Sequence, residues 1–405
     1  MKKIIFLGAA PHQIPAINEA NNLGFKVITV DNRPDNPGHR LAYRSYSNVS
    51  TLDKEKVLEI AKDNNANGIL SYASDVAMPT SIYVAQNLGL KHHPQKCIEI
   101  LTNKNSFRKF LVANKLLPDF FFEEFSEYET GKASAFAKSR NCAMVIKPVD
   151  SSGSKGVSIL SKIDGIEVEK AIKSALNFSI SKKIIIEKFI SKKGPQICGD
   201  GYFENGKIKF VHFGDGQFYE GIHAPYGEIF PSTHTLTALE KTKELLTNVL
   251  NLSGFWKGTF NLDVIIDEFG NPFIIELGPR SGGNFIPDAT FLQTNINMTK
   301  SIVQLASDSD HTLDINDFAM NFPVVACYMV HCFHKMKFDK IQISERIKDN
   351  ILQINPYINS GSVLDSFKNS SHVAANVILK FNNIEEAQTI WKIMPELIRA
   401  EGGLL

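Results

Sequence analysis

The chain has 405 residues, 43% hydrophobic and 21% charged, with a formal net charge of +1. Such a length accommodates two or three domains with a sizeable core, and the near-neutral charge makes no electrostatic case for nucleic acid or an anionic membrane. Five irregularly spaced cysteines argue against a disulfide framework. The apolar run after Met1 is too short for a signal peptide and no stretch approaches a membrane span, so a cytoplasmic soluble protein is expected.

In chain order, residues 3–120 alternate apolar runs with helical patterns. Strands are expected at Ile4–Leu7, Lys26–Val30 and Gly68–Tyr72, and helices near 13–23, 53–64 and 76–88. That alternation implies a parallel sheet with ligands at the carboxyl ends of its strands, which puts Gly8–Gln13 and Asp31 on the rim. Asp31 follows a glycine turn at a spacing suggestive of a nicotinamide site. The segment Gly8–Gln13 has only the first glycine of that fingerprint, however, and a proline where backbone should approach a pyrophosphate.

From about residue 121 the pattern becomes a mixed α+β one. Strands are expected at Ala143–Lys147, Val157–Leu160, Lys183–Glu187, Gly199–Phe203 and Lys207–Phe213, with Asn205-Gly206 as a tight hairpin turn. Helices are expected near 128–139, 167–177, 237–251 and 295–307. The tail is expected to carry strands at Val324–His331 and near 372–381, then a helix over 384–398.

Two segments carry the strongest chemical signal. In Phe260–Gly283, apolar runs at Leu262–Ile266 and Pro272–Leu277 flank the turn formers Asp267–Asn271. A turn centred on Phe269-Gly270 sets Asp263 opposite Glu276 on one face, whereas an odd-length turn parts the pair. Opposed like charges are destabilising unless a cation lies between them, and Mg2+ fits two carboxylates plus phosphates. An exposed hairpin with water-facing carboxylates is the competing reading. Arg280, followed by Ser281-Gly282-Gly283, adds a fixed cation beside the pair.

The second segment is Val145–Val157, where Lys147 ends an apolar strand and Ser151, Ser152, Gly153, Ser154, Lys155 and Gly156 form a small-residue loop. Backbone N–H groups in such a loop can turn toward a triphosphate, although an ordinary Ser/Gly hairpin reads the same. Lys104 at a helix start reads alone as a solvated basic face. Glu187, after three isoleucines, could accept from an adenine amine or simply end a strand at the surface. The loop His223–Glu228 could touch substrate or be ordinary surface. Cys327, His331, Cys332 and His334 fall on opposite faces of a strand, which speaks against zinc.

The order of Lys104, Lys147 with its loop, Glu187-Lys188-Phe189-Ile190, then Asp263, Glu276 and Arg280-Ser281-Gly282-Gly283 resembles the ATP-grasp superfamily, in its carboxylate–amine ligase, carbamoyl-phosphate-synthase-like and purine-carboxylase-like branch. The resemblance implies an α/β plus α+β architecture. An N-terminal open parallel sheet, the pre-ATP-grasp domain (1–120), precedes a lid subdomain with the phosphate loop (121–192), a metal-binding subdomain (193–310) and a C-terminal strand–helix extension (311–405).

It implies ATP and Mg2+ (or Mn2+) as cofactors and small-molecule carboxylate and amine substrates, and it is compatible with a homodimer. Lys104 and Lys147 would bind phosphates under Ser151–Gly156, with Lys155 at the γ-phosphate. Glu187 would meet the adenine amine, Lys188, Phe189 and Ile190 the ring through backbone, and Gln196 the ribose, in place of the usual Glu. Asp263 and Glu276 would hold the metal and Arg280 would steady an acyl-phosphate. Gly278 stands where the family commonly has a metal-ligating Asn. The implied reaction joins acid to amine with release of ADP and phosphate. A purine-pathway carboxylase, a formate-using transformylase and a non-catalytic ATP sensor are the alternatives.

Overall fold

The computed structural model describes residues 1–117, 120–140 and 142–405. Its first unit is a four-stranded parallel sheet in the order Arg44–Tyr46, Lys26–Val30, Lys3–Leu7, Gly68–Leu70. Ile5, Leu7, Ile28 and Val30 pack under Val57, Ile60 and Ala61 of the helix Lys54–Asp63. The alternate residues Ile4, Phe6 and Val27 pack under Ala16, Ile17 and Ala20 of the helix Ile14–Asn22. Burial on both faces accounts for the unbroken apolar runs. The edge strand Arg44–Tyr46 was not expected: two of its three residues are exposed and it has no apolar pattern to betray it. The expected strand 68–72 stops at Leu70, because the chain turns where Ser71 Oγ donates to the Ser74 carbonyl at 2.7 Å.

A second, antiparallel sheet has the order Phe122–Ser126, Lys183–Lys188, Met144–Pro148, Ser158–Leu160. The helices Thr130–Ser139 and Gly165–Phe178 cover one face of it, burying Ala133, Ala137, Val168 and Ile172 on Met144, Ile146 and Ile186.

The largest sheet has eight antiparallel strands: Pro272–Gly278, Gly258–Ile266, Gln196–Glu204, Lys207–Gln217, Gly227–Phe230, Val324–Val330, Ala375–Phe381, Ile351–Pro356. It runs without a break across the boundary expected at 310/311. Asn205 and Gly206 both take positive φ (53° and 76°), the primed turn that matches strand twist. The helix Leu236–Ser253 buries Leu246, Val249 and Leu250 against Phe260, Leu262 and Val264, which leaves Asn261 and Asp263 on the opposite face.

Three other expectations need correction. The helix expected over 384–398 is two, Ile384–Trp391 and Met394–Leu397, followed by a strand Ile398–Leu404. Pro395 has no N–H to continue the first helix, but it suits the first turn of a new one. The helix expected at 295–307 is shorter, Met298–Leu305, with the Asn297 side chain accepting from Lys300 N at 2.8 Å. The loop expected at 223–228 ends early, since Gly227 and Glu228 lie in a central, buried strand.

Candidate active site

The hairpin that opens the site is built differently from the simple register. Its turn is odd in length: Asp267 N donates to the Asn271 carbonyl at 2.9 Å, and Val264 pairs with Ile274. Continued unchanged, that register would set Asp263 opposite Ile275 and turn Glu276 into the apolar core beside Ile274. A β-bulge at Ile275 inserts the extra residue, so Asp263 pairs with Glu276 and Leu277 takes the core position. The opposition expected from the sequence is therefore present, by a route the sequence does not show.

Arg108 accompanies this bulge. It lies on the helix Lys104–Ala113 and is wholly buried. Its Nη1 and Nη2 donate to the carbonyls of Ile274 and Ile275, each at 3.0 Å, and its Nε to Glu187 Oε2 at 2.9 Å. Two successive carbonyls on one side of a strand are what a bulge presents, and a planar guanidinium can bridge them. Glu187 also pairs with Lys147. Burial alone would raise the Glu187 pKa, but Arg108 and Lys147 hold it down to about 2. Burial lowers Lys147 to about 8 even though Glu187 opposes the shift. Both Glu187 oxygens are thus engaged by protein cations. Sequence reasoning missed Arg108; its place four residues after Lys104 on one helix face was the available signal.

Around the acid pair, Gln196 Nε2 donates to Asp263 Oδ1 at 2.7 Å. Lys104 Nζ reaches Glu276 Oε1 at 3.3 Å and the Ser151 carbonyl at 2.8 Å. Burial, reinforced by Glu276, pushes Asp263 up to about 7. Burial likewise works against Glu276, yet Lys104, Arg280 and Lys147 bring it below its ordinary value, and 31% of its side chain stays open. A pair that cannot comfortably ionise together is a fit for a divalent cation, and oxygen donors of this kind suit Mg2+. Among the described residues, no cluster of three or more His, Cys, Asp or Glu forms a metal site.

The small-residue loop carries consecutive positive φ at Gly153 (69°) and Ser154 (58°), and again at Gly156 (73°). Ser154 Oγ donates to the His223 carbonyl at 2.8 Å and Ser370 Oγ to the Gly153 carbonyl at 3.4 Å, so the loop is tied both to the segment before the strand Gly227–Phe230 and to the tail. Lys155 is half-buried and its pKa is lowered, first by burial and then by Arg33. At the expected adenine edge, the Lys188 and Phe189 amides donate to Phe121 and Ala143. Neither is free to read a base.

Two further acids lie nearby: Asp200, missed from the sequence, and Glu228, the last residue of the loop expected at 223–228. Asp200 accepts Gly282 N at 2.7 Å and Asn261 Nδ2 at 2.9 Å, fixing the turn after Arg280. Glu228 accepts Asn284 Nδ2 at 2.9 Å, its other oxygen has no partner among the described residues, and burial pushes it up to about 8. Asp31, by contrast, spends its carboxylate on Ala9 N, Arg33 N and Asn36 Nδ2, tying the rim loops together.

Comparison with known proteins bears on the domain and the fold. Residues 140–288 match the ATP-grasp domain family. A formate-dependent phosphoribosylglycinamide formyltransferase of a Nitratiruptor species is 26% identical over 306 residues, 74% of this chain and 73% of the relative. The crystal structure of an L-amino acid ligase from Bacillus licheniformis superposes with a TM-score of 0.80 at 19% identity, covering 99% of both chains. A biotin carboxylase domain dimer of a 2-oxoglutarate carboxylase from Hydrogenobacter thermophilus, solved with MgADP, ADP and bicarbonate, gives 0.76 at 15% identity, covering 99% of this chain and 91% of that one. No helix among the described residues is long and apolar enough to cross a membrane. Residues 140–288 are thus similar to the ATP-grasp domain, and the chain as a whole shares its fold with the solved amino acid ligase.

Proposed function

We propose that the protein is an ATP-dependent ligase that activates a carboxylate as an acyl-phosphate and joins it to an amine, releasing ADP and phosphate. One observation carries this reading: Lys104, the Ser151 carbonyl and the Asp263–Glu276 pair, drawn from separate segments, meet around one point. Lys104, Lys147 and Lys155 supply positive charge for a triphosphate beneath Ser151–Gly156. Held by Asp263 and Glu276, Mg2+ (or Mn2+) would neutralise phosphate charge during transfer. The substrate carboxylate attacks the γ-phosphorus, the bond to ADP breaks, and Arg280 balances the negative charge of the resulting acyl-phosphate. The amine then attacks the acyl carbon and phosphate leaves. No protein nucleophile is required.

The placement of Glu187 amends its expected role. Its carboxylate holds Lys147 and Arg108, and adenine recognition falls to neighbouring backbone, with Ile190 the residue of that stretch whose amide is uncommitted among the described residues. Residues 121–192 act as the lid in this reading, and residues 193–310 share their sheet with the tail.

The names of the curated relatives favour a second reading, formate-using transformylation of a phosphoribosyl amine. The cavity beside Glu276 speaks for a different acceptor. It measures about 510 Å³, has apolar walls at Val76, Pro79, Ile82 and Ile98, and its charged lining is Lys54, Glu99, Asp150, Glu276 and Asp75, the last already paired with Arg280. A phosphorylated acceptor needs cations there. An ADP-release assay with Mg2+ across amino and hydroxy acids, run beside formate plus a phosphoribosyl amine, tests this. Turnover with an amino-acid pair supports the ligase. Turnover only with formate supports the transformylase, and nucleotide binding without turnover would leave a sensor.

Lys147 gives a pH expectation. Its folded pKa is lowered to about 8, so the charged form that attracts phosphate is lost as pH rises through that value. ATP affinity, measured by calorimetry, should weaken between about pH 7 and pH 9, either side of that value, and Lys147→Met should bind ATP weakly at both.

A further inference from the structure

Gly278 occupies the place where the resemblance leads one to expect a metal-ligating Asn, and the structure supplies a steric reason for glycine. A Cβ built there would lie 2.9 Å from Asp75 Oδ1, 3.1 Å from Arg280 Cζ and 3.2 Å from Arg280 Nε. All three atoms belong to one ion pair that crosses directly over the glycine. The first distance is shorter than a real Cβ contact and the other two are tight, so an added methyl would have to displace two side-chain ends that are hydrogen-bonded to each other.

Asp75 comes from the N-terminal domain, in the loop after the strand Gly68–Leu70. It accepts Arg280 Nε at 3.0 Å and Arg280 Nη2 at 2.5 Å, a two-point fork, and both side chains are about nine-tenths buried (10% and 11% exposed). Arg280 Nη1 donates to the Ser281 carbonyl at 3.1 Å, and Ser281 N is itself held by the Tyr72 carbonyl at 3.0 Å. A guanidinium has five N–H donors. The contacts among the described residues therefore leave one N–H on each terminal nitrogen, and the Asp75 fork fixes where those two point.

We propose that Asp75 is a positioning residue for Arg280: the N-terminal domain orients the guanidinium toward the anionic group of the substrate, and Gly278 is the clearance that lets the pair lie across the metal-bearing strand. The proposal rests on the ligase reading for the identity of the anion, but the interlock of Asp75, Arg280 and Gly278 does not.

Two experiments separate these parts. Steady-state kinetics of Asp75→Asn keep the side-chain size and remove the charge-assisted fork. The KM for the acid should rise roughly 10- to 100-fold, with the KM for ATP within about twofold of wild type. An unchanged acid KM, or equal losses for acid and ATP, would overturn the proposal. Urea denaturation of Gly278→Ala, Asp75→Ala and the double variant needs no substrate. The alanine at 278 should be destabilising alone and clearly less so once Asp75 is truncated, because the nearest crowding oxygen has gone and Arg280 is released to move aside. Additive effects would sink the interlock even in an enzyme that turns over as expected. Absence of acid-dependent turnover in wild type would refute the ligase reading alone, and the denaturation cycle would still decide the interlock.

Discussion

Asp263→Asn is expected to lower Mg2+-dependent ADP release by about two to three orders of magnitude while making the metal-free protein slightly more stable. The loss follows from removing one of two carboxylates at a site whose work is electrostatic; deleting a single stabilising group in such sites costs roughly 10²–10³ in rate. The gain follows from the same geometry. Without a cation, Asp263 and Glu276 oppose each other across the hairpin, and relieving like charges returns on the order of 1 kcal/mol. Glu276→Gln should behave alike in rate but gain less stability, because Lys104 and Arg280 already offset its charge. Urea melts without metal and ADP release with Mg2+ check both halves. Activity near wild type in either variant would remove the pair from the metal site.

Arg108→Ala is expected to be the most destabilising single substitution near the site, by about 3–5 kcal/mol, because it strands Glu187 as a buried carboxylate with Lys147 as its remaining cation. The more informative change is Arg108→Lys. It keeps a positive charge near Glu187 but cannot bridge the carbonyls of Ile274 and Ile275 as a planar fork does. If the guanidinium holds the bulge, this variant should fold and yet bind Mg2+-nucleotide about 10- to 100-fold more weakly, the usual cost of losing a partner behind a metal ligand. Calorimetric titration with Mg2+-ADP against ADP alone separates a metal effect from a nucleotide effect. Equal weakening of both would mean that Arg108 serves only Glu187 and Lys147.

These two residues also mark how far the sequence could be read. Asp263 and Glu276 were legible because alternation along two short strands is a local property, and the elements from Ile4 to Val30 were legible because burial on both faces leaves continuous apolar runs. The odd turn at Asp267–Asn271 would by itself have parted the acids. What rejoins them is a bulge accompanied by an arginine 166 residues away in the chain, and no window around residue 275 contains that information. Gly227 and Glu228 fall in the loop expected at 223–228 because Gly, Glu, Pro and Tyr there look polar; they begin the strand Gly227–Phe230, which pairs with a neighbour on each side. Asp75 is hidden for the same reason, since its partner Arg280 lies in another domain. Gly278 looks like a missing ligand in the sequence; in the structure a side chain there would crowd the Asp75–Arg280 pair.

The pathway of oxygen atoms tests the central claim most directly. With a turnover-competent acid labelled by ¹⁸O in its carboxylate, an acyl-phosphate intermediate transfers one labelled oxygen to the phosphate released when the amine attacks. Mass spectrometry of that phosphate should therefore show one ¹⁸O per turnover. Phosphate free of label, at a rate of ADP release equal to amide formation, would contradict carboxylate activation by this site.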